Sequence, residues 1–157
     1  MIKMGKIRAL LLPIDFPVLL YDKISKRVDE ITASLVLYDL GWEIGARVSR
    51  NAFLKHFEPP DALEKVPELL KLIGLEGEVV DNRVVVRDAP GFANGCAFER
   101  GLVAGIMSGL CRAPWDAVAE VDGTNCVIKP RVRGVSPEEA GNVAESLRDR
   151  VQGEDLL

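Results

Sequence analysis

Glycines recur at every fourth position in two segments that otherwise have a helical pattern. Gly101, Gly105 and Gly109 form one series, and Gly41 and Gly45 repeat the spacing. Each glycine inside a helix costs about 1 kcal/mol relative to alanine, so a row of glycines on one helix face needs a compensating interaction. Close backbone packing, of these two helices against each other or against a sheet, is the favoured explanation. The alternative is space left open beside the helix for a ligand.

The order of hydrophobic patterns along the chain predicts an α+β fold. Helical segments carry apolar residues at spacings of three and four, whereas two other segments alternate like β-hairpins. Because regular crossover helices do not separate the strands, the sheet should be antiparallel and four-stranded, built from two hairpins and packed with helices. The predicted elements are a shorter and a longer helix over 18–57, a helix from its N-cap Asp61 to Ile73, a hairpin of 78–80 and 83–87 turning at Asp81-Asn82, a helix over 97–112, a hairpin of 116–121 and 126–133, and a helix from Ser136 to about Val151.

The composition is typical of a single globular domain over residues 1–157. Of these residues 48% are hydrophobic and 28% are charged, and no repeat or linker divides the chain. A formal net charge of -4 without a basic block argues against binding to nucleic acid or to a membrane surface. Lys129, Arg131 and Arg133 alternate along a predicted strand, and we interpret them as a solvated face rather than a phosphate site.

The amino-terminal apolar stretch does not have the pattern of a targeting segment. Residues 7–21 are interrupted by Pro13, Asp15 and Pro17, and no small-residue cleavage site follows. No stretch reaches the roughly 20 apolar residues that a membrane-spanning helix needs. We therefore expect a soluble, cytoplasmic protein without a membrane span.

The cysteine and histidine content limits the possible chemistry. Cys96, Cys111 and Cys126 are odd in number and have no close pair, which predicts a reducing cytosol and no disulfide framework. Their spacing matches no zinc motif. His56 is the sole histidine, and we interpret it as a cap on the last turn of the long helix rather than as a catalytic base. The sequence thus predicts no catalytic residue and no metal site, and it identifies no cofactor.

Two short segments carry the remaining functional signal. Cys96 precedes a predicted helix, where the positive end of the helix dipole favours a thiolate, although a small buried residue is the favoured interpretation. The acidic residues between Glu120 and Cys126 are typical of a solvated turn. Alternatively, they bring Glu120 and Cys126 close to the Cys96 loop across the sheet.

These segments together resemble the 4-vinyl reductase domain family of archaeal-type, predicted hydrocarbon-binding proteins. The resemblance rests on Gly95-Cys96-Ala97-Phe98 leading into Gly101-x-x-x-Gly105, on Glu120 with Gly123-x-x-Cys126, and on the helical segment 37–45, and it covers most of residues 18–133. It implies a fold similar to core subunits of the transport protein particle (TRAPP), which pair as dimers and hold acyl chains. The family often has a cysteine where Ala119 stands and an aromatic residue where Ile128 stands, so a cysteine metal site is not predicted here.

The function that this resemblance implies is non-enzymatic binding of a small hydrophobic molecule in an apolar pocket. The ligand would be a hydrocarbon, an acyl chain or a tetrapyrrole-like molecule, and the protein would be a homodimer. The implied ligand-binding residues are Cys96, Phe98, Gly101, Gly105, Glu120 and Cys126. The alternatives are a component of a tetrapyrrole vinyl-group reductase with an external electron donor, or a dimeric assembly protein.

Overall fold

The computed structural model describes residues 12–133, and within this range the helices and strands follow the predicted order. The helices are α1 (Phe16–Arg27), α2 (Glu30–Ala52), α3 (Pro59–Ile73) and α4 (Ala97–Cys111), with a short 3-10 helix (Phe92–Asn94) before α4. The strands are β1 (Glu76–Val80), β2 (Arg83–Arg87), β3 (Trp115–Asp122) and β4 (Asn125–Val132). The predicted helix from Ser136 to about Val151 lies outside the described residues.

The four strands form one antiparallel sheet in the order β1-β2-β4-β3. The two hairpins join where β2 pairs with β4, with Val84 opposite Ile128 and Val86 opposite Cys126. The first hairpin turns at Asp81 and Asn82, which both have positive φ angles, as tight hairpin turns require. The predicted α+β class and the four-stranded antiparallel sheet are thereby confirmed.

Helix α4 is the centre of the hydrophobic core. It packs against one face of the sheet, which we call the inner face. Every residue from Ala97 to Cys111 except Arg100 is buried. Helix α2 packs along α4, α1 packs on α2, and α3 contacts both α4 and β1. Because a helix covered on all sides leaves few polar groups in contact with water, its sequence is almost entirely apolar.

Two predicted helix ends around Pro59-Pro60 are wrong. Helix α2 ends at Ala52 because Phe53 adopts an extended backbone, so His56 does not cap its last turn. The His56 Nε2 atom instead lies 3.5 Å from Glu58 Oε1. Helix α3 begins at Pro59 rather than after Asp61, since proline lacks an N–H and its fixed φ suits the first helical turn.

The described helices are too short or too polar to span a membrane. The longest helix in the described range is α2, with 23 residues, and it carries charged residues along its exposed side. Within residues 12–133 no helix is both long enough and apolar enough to cross a bilayer.

Candidate functional site

The glycine series form the contact between α2 and α4. A methyl group added at Gly41 would lie 3.0 Å from the backbone nitrogen of Leu102, and one added at Gly45 would lie 2.9 Å from that of Ile106. On the α4 side of the contact, a methyl group added at Gly105 would lie 2.8 Å from the Cα atom of Trp42 in α2. These distances confirm that the glycines allow close backbone packing. The face of α4 that carries Gly101 and Gly105 is therefore covered by α2.

Cys96 and Cys126 form a disulfide, which corrects the expectation of free thiols. Their Cα atoms are 6.1 Å apart although the residues are 30 positions apart in the chain, and both side chains are fully buried. The sequence did not reveal this pairing because it depends on tertiary structure: α4 begins directly over the inner face of β4. A bonded Cys96 is not the thiolate considered above, and the cysteine argument for a reducing cytosol no longer holds.

Cys111 is the one free cysteine within the described residues. It is buried at the end of α4, and this burial, together with the charge of Glu58, raises the pKa of its thiol to about 12. The thiol therefore stays protonated at neutral pH and is a core residue rather than a nucleophile.

Glu120 lies on the opposite face of the sheet from the disulfide. In β3 it pairs with Val127, whereas the next residue, Val121, pairs with Cys126. Because successive side chains of a strand point to opposite faces, the Glu120 carboxylate faces away from α4. The convergence of Cys96 and Cys126 is real, but Glu120 does not join them.

Glu120 instead contributes to an open groove on the outer face of the sheet. The groove has a volume of about 150 Å³ and is lined by Arg83, Val118, Ala119, Glu120, Val127 and Lys129. Lys129 and Arg131 are exposed on this face, as the solvated-face interpretation predicts. A groove of this size is smaller than the roughly 300–1,000 Å³ of typical small-molecule pockets.

Glu99 is a functional candidate that the sequence reasoning missed. Its side chain is only 1% exposed, although a glutamate is rarely buried without a partner. Oε2 accepts a hydrogen bond of 2.8 Å from the Gly91 N–H, and Oε1 has no hydrogen-bond partner within residues 12–133. Burial raises the pKa of this carboxyl, and the backbone N–H groups of Gly91 and of Glu99 itself oppose the shift only in part. An acidic residue in the mostly apolar segment 97–111 was the available signal.

The loop of residues 88–95 holds this carboxyl in place. A methyl group on Gly91 would lie 2.9 Å from Oε2 of Glu99, so this position has no space for a side chain. The loop is tied to the β3–β4 turn, because the Ala89 N–H donates to the Thr124 carbonyl at 2.9 Å, and Thr124 Oγ1 donates to Asp88 at 2.8 Å. At its other end, the Cys96 N–H donates to the Gly91 carbonyl. We call the loop 88–95, the disulfide and the first turn of α4 through Glu99 the α4 corner.

The aromatic residues of α2 tie this helix to β3. The Tyr38 hydroxyl donates to Asp116 Oδ1 at 2.7 Å, and Trp42 Nε1 donates to the Trp115 carbonyl at 3.0 Å. Burial and the bond to Asp116 both raise the pKa of Tyr38, so the hydroxyl remains a donor. The Arg100 guanidinium lies 4.3 Å from the centre of the Tyr38 ring, within cation–π distance. This cluster fixes α2 in position, and its charges are already partnered.

Metal ligands are not assembled in this part of the molecule. Among residues 12–133 no group of three or more His, Cys, Asp or Glu side chains is placed to hold a metal ion.

Replacing Glu99 with glutamine is expected to stabilise the protein at pH 8. A raised pKa means that the folded protein keeps this proton when the unfolded chain has lost it. The associated stability is present below the unfolded pKa, near the ordinary value of 4.5, and is lost as the pH rises through the folded pKa. Glutamine removes that loss and the cost of a buried charge, so Glu99→Gln should gain about 1–3 kcal/mol at pH 8.

Urea unfolding at pH 5, 6.5 and 8 measures this effect. The gain should shrink towards pH 5, and the exposed Glu68→Gln variant on α3 should show no such change. A Glu99→Gln protein that is less stable than the parent at pH 8 would contradict the assignment.

The fold has a counterpart among solved structures. The chain is similar to the crystal structure of the phenol-responsive sensory domain of the transcription activator PoxR with phenol, at a TM-score of 0.67 and 16% identity. The match covers 89% of this chain and 84% of that chain. At this identity the likeness shows the fold alone. No protein-family model and no curated protein matches the sequence, so these comparisons do not support membership of the 4-vinyl reductase family.

Proposed function

We propose that this chain is a small-molecule-binding module of the sensory type, formed by one domain over residues 1–157. The observation that carries the proposal is the fold, which is shared over 89% of the chain with a domain described as phenol-responsive. That fold also agrees with the small-molecule binding that the family resemblance implies. The proposal does not depend on any catalytic residue.

The proposed binding region is the α4 corner rather than the glycine face of α4. Helix α2 already occupies the glycine face, whereas the corner combines Cys96, Phe98 and Cys126 with the buried carboxyl of Glu99. The residues one turn further along α4, Leu102 and Val103, are apolar and fully buried. A ligand at this corner would therefore be small and mostly apolar. The acyl and tetrapyrrole ligands stay predictions, as do the vinyl-reductase and assembly alternatives.

We also infer that the chain pairs as a homodimer through the start of α2. Ile31 and Leu35 lie one turn apart on α2 and are 76% and 59% exposed, and Val28, just before this helix, is 65% exposed. A row of exposed apolar side chains on one side of a helix favours association with another protein surface. A second copy offers the same row and so gives a two-fold symmetric contact.

Ligand-dependent thermal stabilisation tests the binding function. The protein is heated with phenol, decanoic acid or protoporphyrin in separate samples, and native mass spectra of the unheated protein report co-purified mass and dimer mass. Ligand at about 100 times its Kd should stabilise the fold by roughly 2.7 kcal/mol, which raises the Tm by about 5 °C or more. An unrelated protein of similar size serves as the control for nonspecific effects.

The proposal fails if none of the three compounds raises the Tm and the mass spectra contain no bound small molecule. A bare dimer under these conditions would favour the assembly alternative instead.

A further inference from the structure

The buried carboxyl of Glu99 has one oxygen that a backbone N–H fixes and one for which residues 12–133 supply no donor. The Gly91 N–H holds Oε2, which sets the orientation of the whole group. Oε1 has no hydrogen-bond partner within residues 12–133, in a side chain that is 1% exposed. Buried polar atoms in folded proteins nearly always have a partner, so an oriented acceptor without one calls for an explanation.

The nearest cation along the helix does not supply that partner. The Arg100 guanidinium lies over the Tyr38 ring, and its Nη1 donates to the Ala117 carbonyl. It is therefore directed towards α2 and β3 and away from the Gly91 loop. The other neighbours of Glu99 on its helix face are Leu102 and Val103, which have no side-chain donor.

We propose that Oε1 of Glu99 is the polar anchor for a small ligand with one O–H donor on an otherwise apolar body, bound at the α4 corner. This inference rests on the proposed binding function and names its ligand class. The ligand hydroxyl donates to Oε1, and its apolar part contacts the buried side chains around the disulfide. A simple phenol has this combination of groups.

The single acceptor distinguishes this ligand class from a cationic one. An ammonium group carries three donors and a full charge, and burying it without three acceptors is costly. The corner presents one unpaired oxygen, which a single hydroxyl satisfies. A ligand without an O–H donor would leave Oε1 without a hydrogen-bond partner, so it should bind more weakly than its hydroxyl analogue.

The loop that covers Glu99 lies at the surface, so a ligand would reach the carboxyl through a displacement of this loop. Phe92 is 38% exposed and Gly95 is also exposed, while Glu99 beneath the loop is buried. Gly91 packs directly on the carboxyl and leaves no space between them even for a methyl group. A displacement of this loop would therefore uncover Oε1 while the disulfide keeps α4 attached to the sheet.

Matched ligands provide the test. Calorimetric titration of the full chain at pH 8, where we expect the Glu99 carboxyl to be ionised and Oε1 to be an acceptor, compares phenol with anisole, its methyl ether, which has the same ring and no O–H donor. We expect phenol to bind roughly tenfold more tightly than anisole, the effect of one hydrogen bond to a carboxyl group. In Glu99→Leu this preference should fall to about twofold or less, while in the control Glu68→Leu, an exposed position on α3, it should persist.

Each outcome separates this inference from the function on which it rests. Equal binding of phenol and anisole by the parent protein, or a tenfold preference that survives in Glu99→Leu, overturns the role of Glu99 but leaves small-molecule binding intact. Absence of binding by any compound in either assay removes the proposed function and this inference with it. If Glu99→Leu does not fold, Glu99→Gln is titrated instead, and an unchanged preference there counts against the anchor.

Discussion

Replacing Gly105 with alanine should lower the free energy of unfolding by about 3 kcal/mol or more. An alanine in place of a helical glycine normally gains about 1 kcal/mol, so the expected sign is the reverse of the intrinsic one. The reason is that the added methyl group meets the backbone of Trp42 on α2, and backbone atoms cannot rotate away as a side chain can. The two helices would have to separate along the whole glycine contact.

Urea unfolding followed by tryptophan fluorescence measures this change, since Trp42 lies at the contact. The matched control is Gly77→Ala in β1, where the new methyl group meets the Leu70 Cδ1 atom at 2.7 Å. That atom is the end of a flexible side chain, so the control should lose no more than about 1 kcal/mol. Equal effects of the two substitutions would contradict the close contact between α2 and α4. Because bulk at Gly105 acts on folding, a Gly105→Leu variant would not report on a ligand pocket.

The sequence was most informative where local chemistry determines structure. The Asp81-Asn82 turn, the change from helical to alternating periodicity, and the end of α3 at Ile73 all depend on neighbouring residues, and each appears in the structure. The glycine spacing went further, because it predicted close packing of these two helices against each other or against a sheet, and the structure shows the first of these. Glycine is informative at such positions since only its missing side chain permits the approach.

Prediction failed where a residue's role depends on distant parts of the chain. His56 and Asp61 were placed by helix-capping rules, but the extended backbone at Phe53 and the prolines at the start of α3 set the actual ends. Strand register also decides which face a side chain occupies. Glu120 and Cys126 are close in sequence, yet the pairing of β3 with β4 directs them to opposite faces of the sheet.

Three residues of the candidate site could be identified from the sequence, and a fourth could not. Cys96 and Phe98 were identified from the motif at the start of α4, and Cys126 from the second hairpin. Glu99 lies between Phe98 and Arg100 in sequence, and its importance depends on the Gly91 loop that covers it, which no periodicity reveals. Acidic side chains in the first turn of a helix are usually exposed and are stabilised by the helix dipole. The sequence position of Glu99 therefore predicts an exposed side chain, and only the structure shows that it is buried.

Reducing the Cys96–Cys126 disulfide should destabilise the fold by about 3.5 kcal/mol. The bond closes a chain segment of 30 residues, and loop-closure entropy in the unfolded state gives an effect of this order. The effect should be visible as a lower urea midpoint in the presence of a dithiol reductant. The double variant Cys96→Ala/Cys126→Ala should lose a similar amount and should no longer respond to the reductant.

Thiol titration in denaturant provides the independent check. The chain has three cysteines, so the oxidised protein should present one reactive thiol, from Cys111, and the reduced protein should present three. The Cys111→Ala variant should retain the full response to the reductant, because its thiol takes no part in the bond. Three reactive thiols in protein prepared without reductant, together with an unchanged urea midpoint, would show that the α4 corner is held by packing and by the Gly91 loop alone. A single thiol and a reductant-sensitive midpoint would instead mean that the bond fastens α4 to β4 next to Glu99, so that the loop over this carboxyl can open without separating the helix from the sheet.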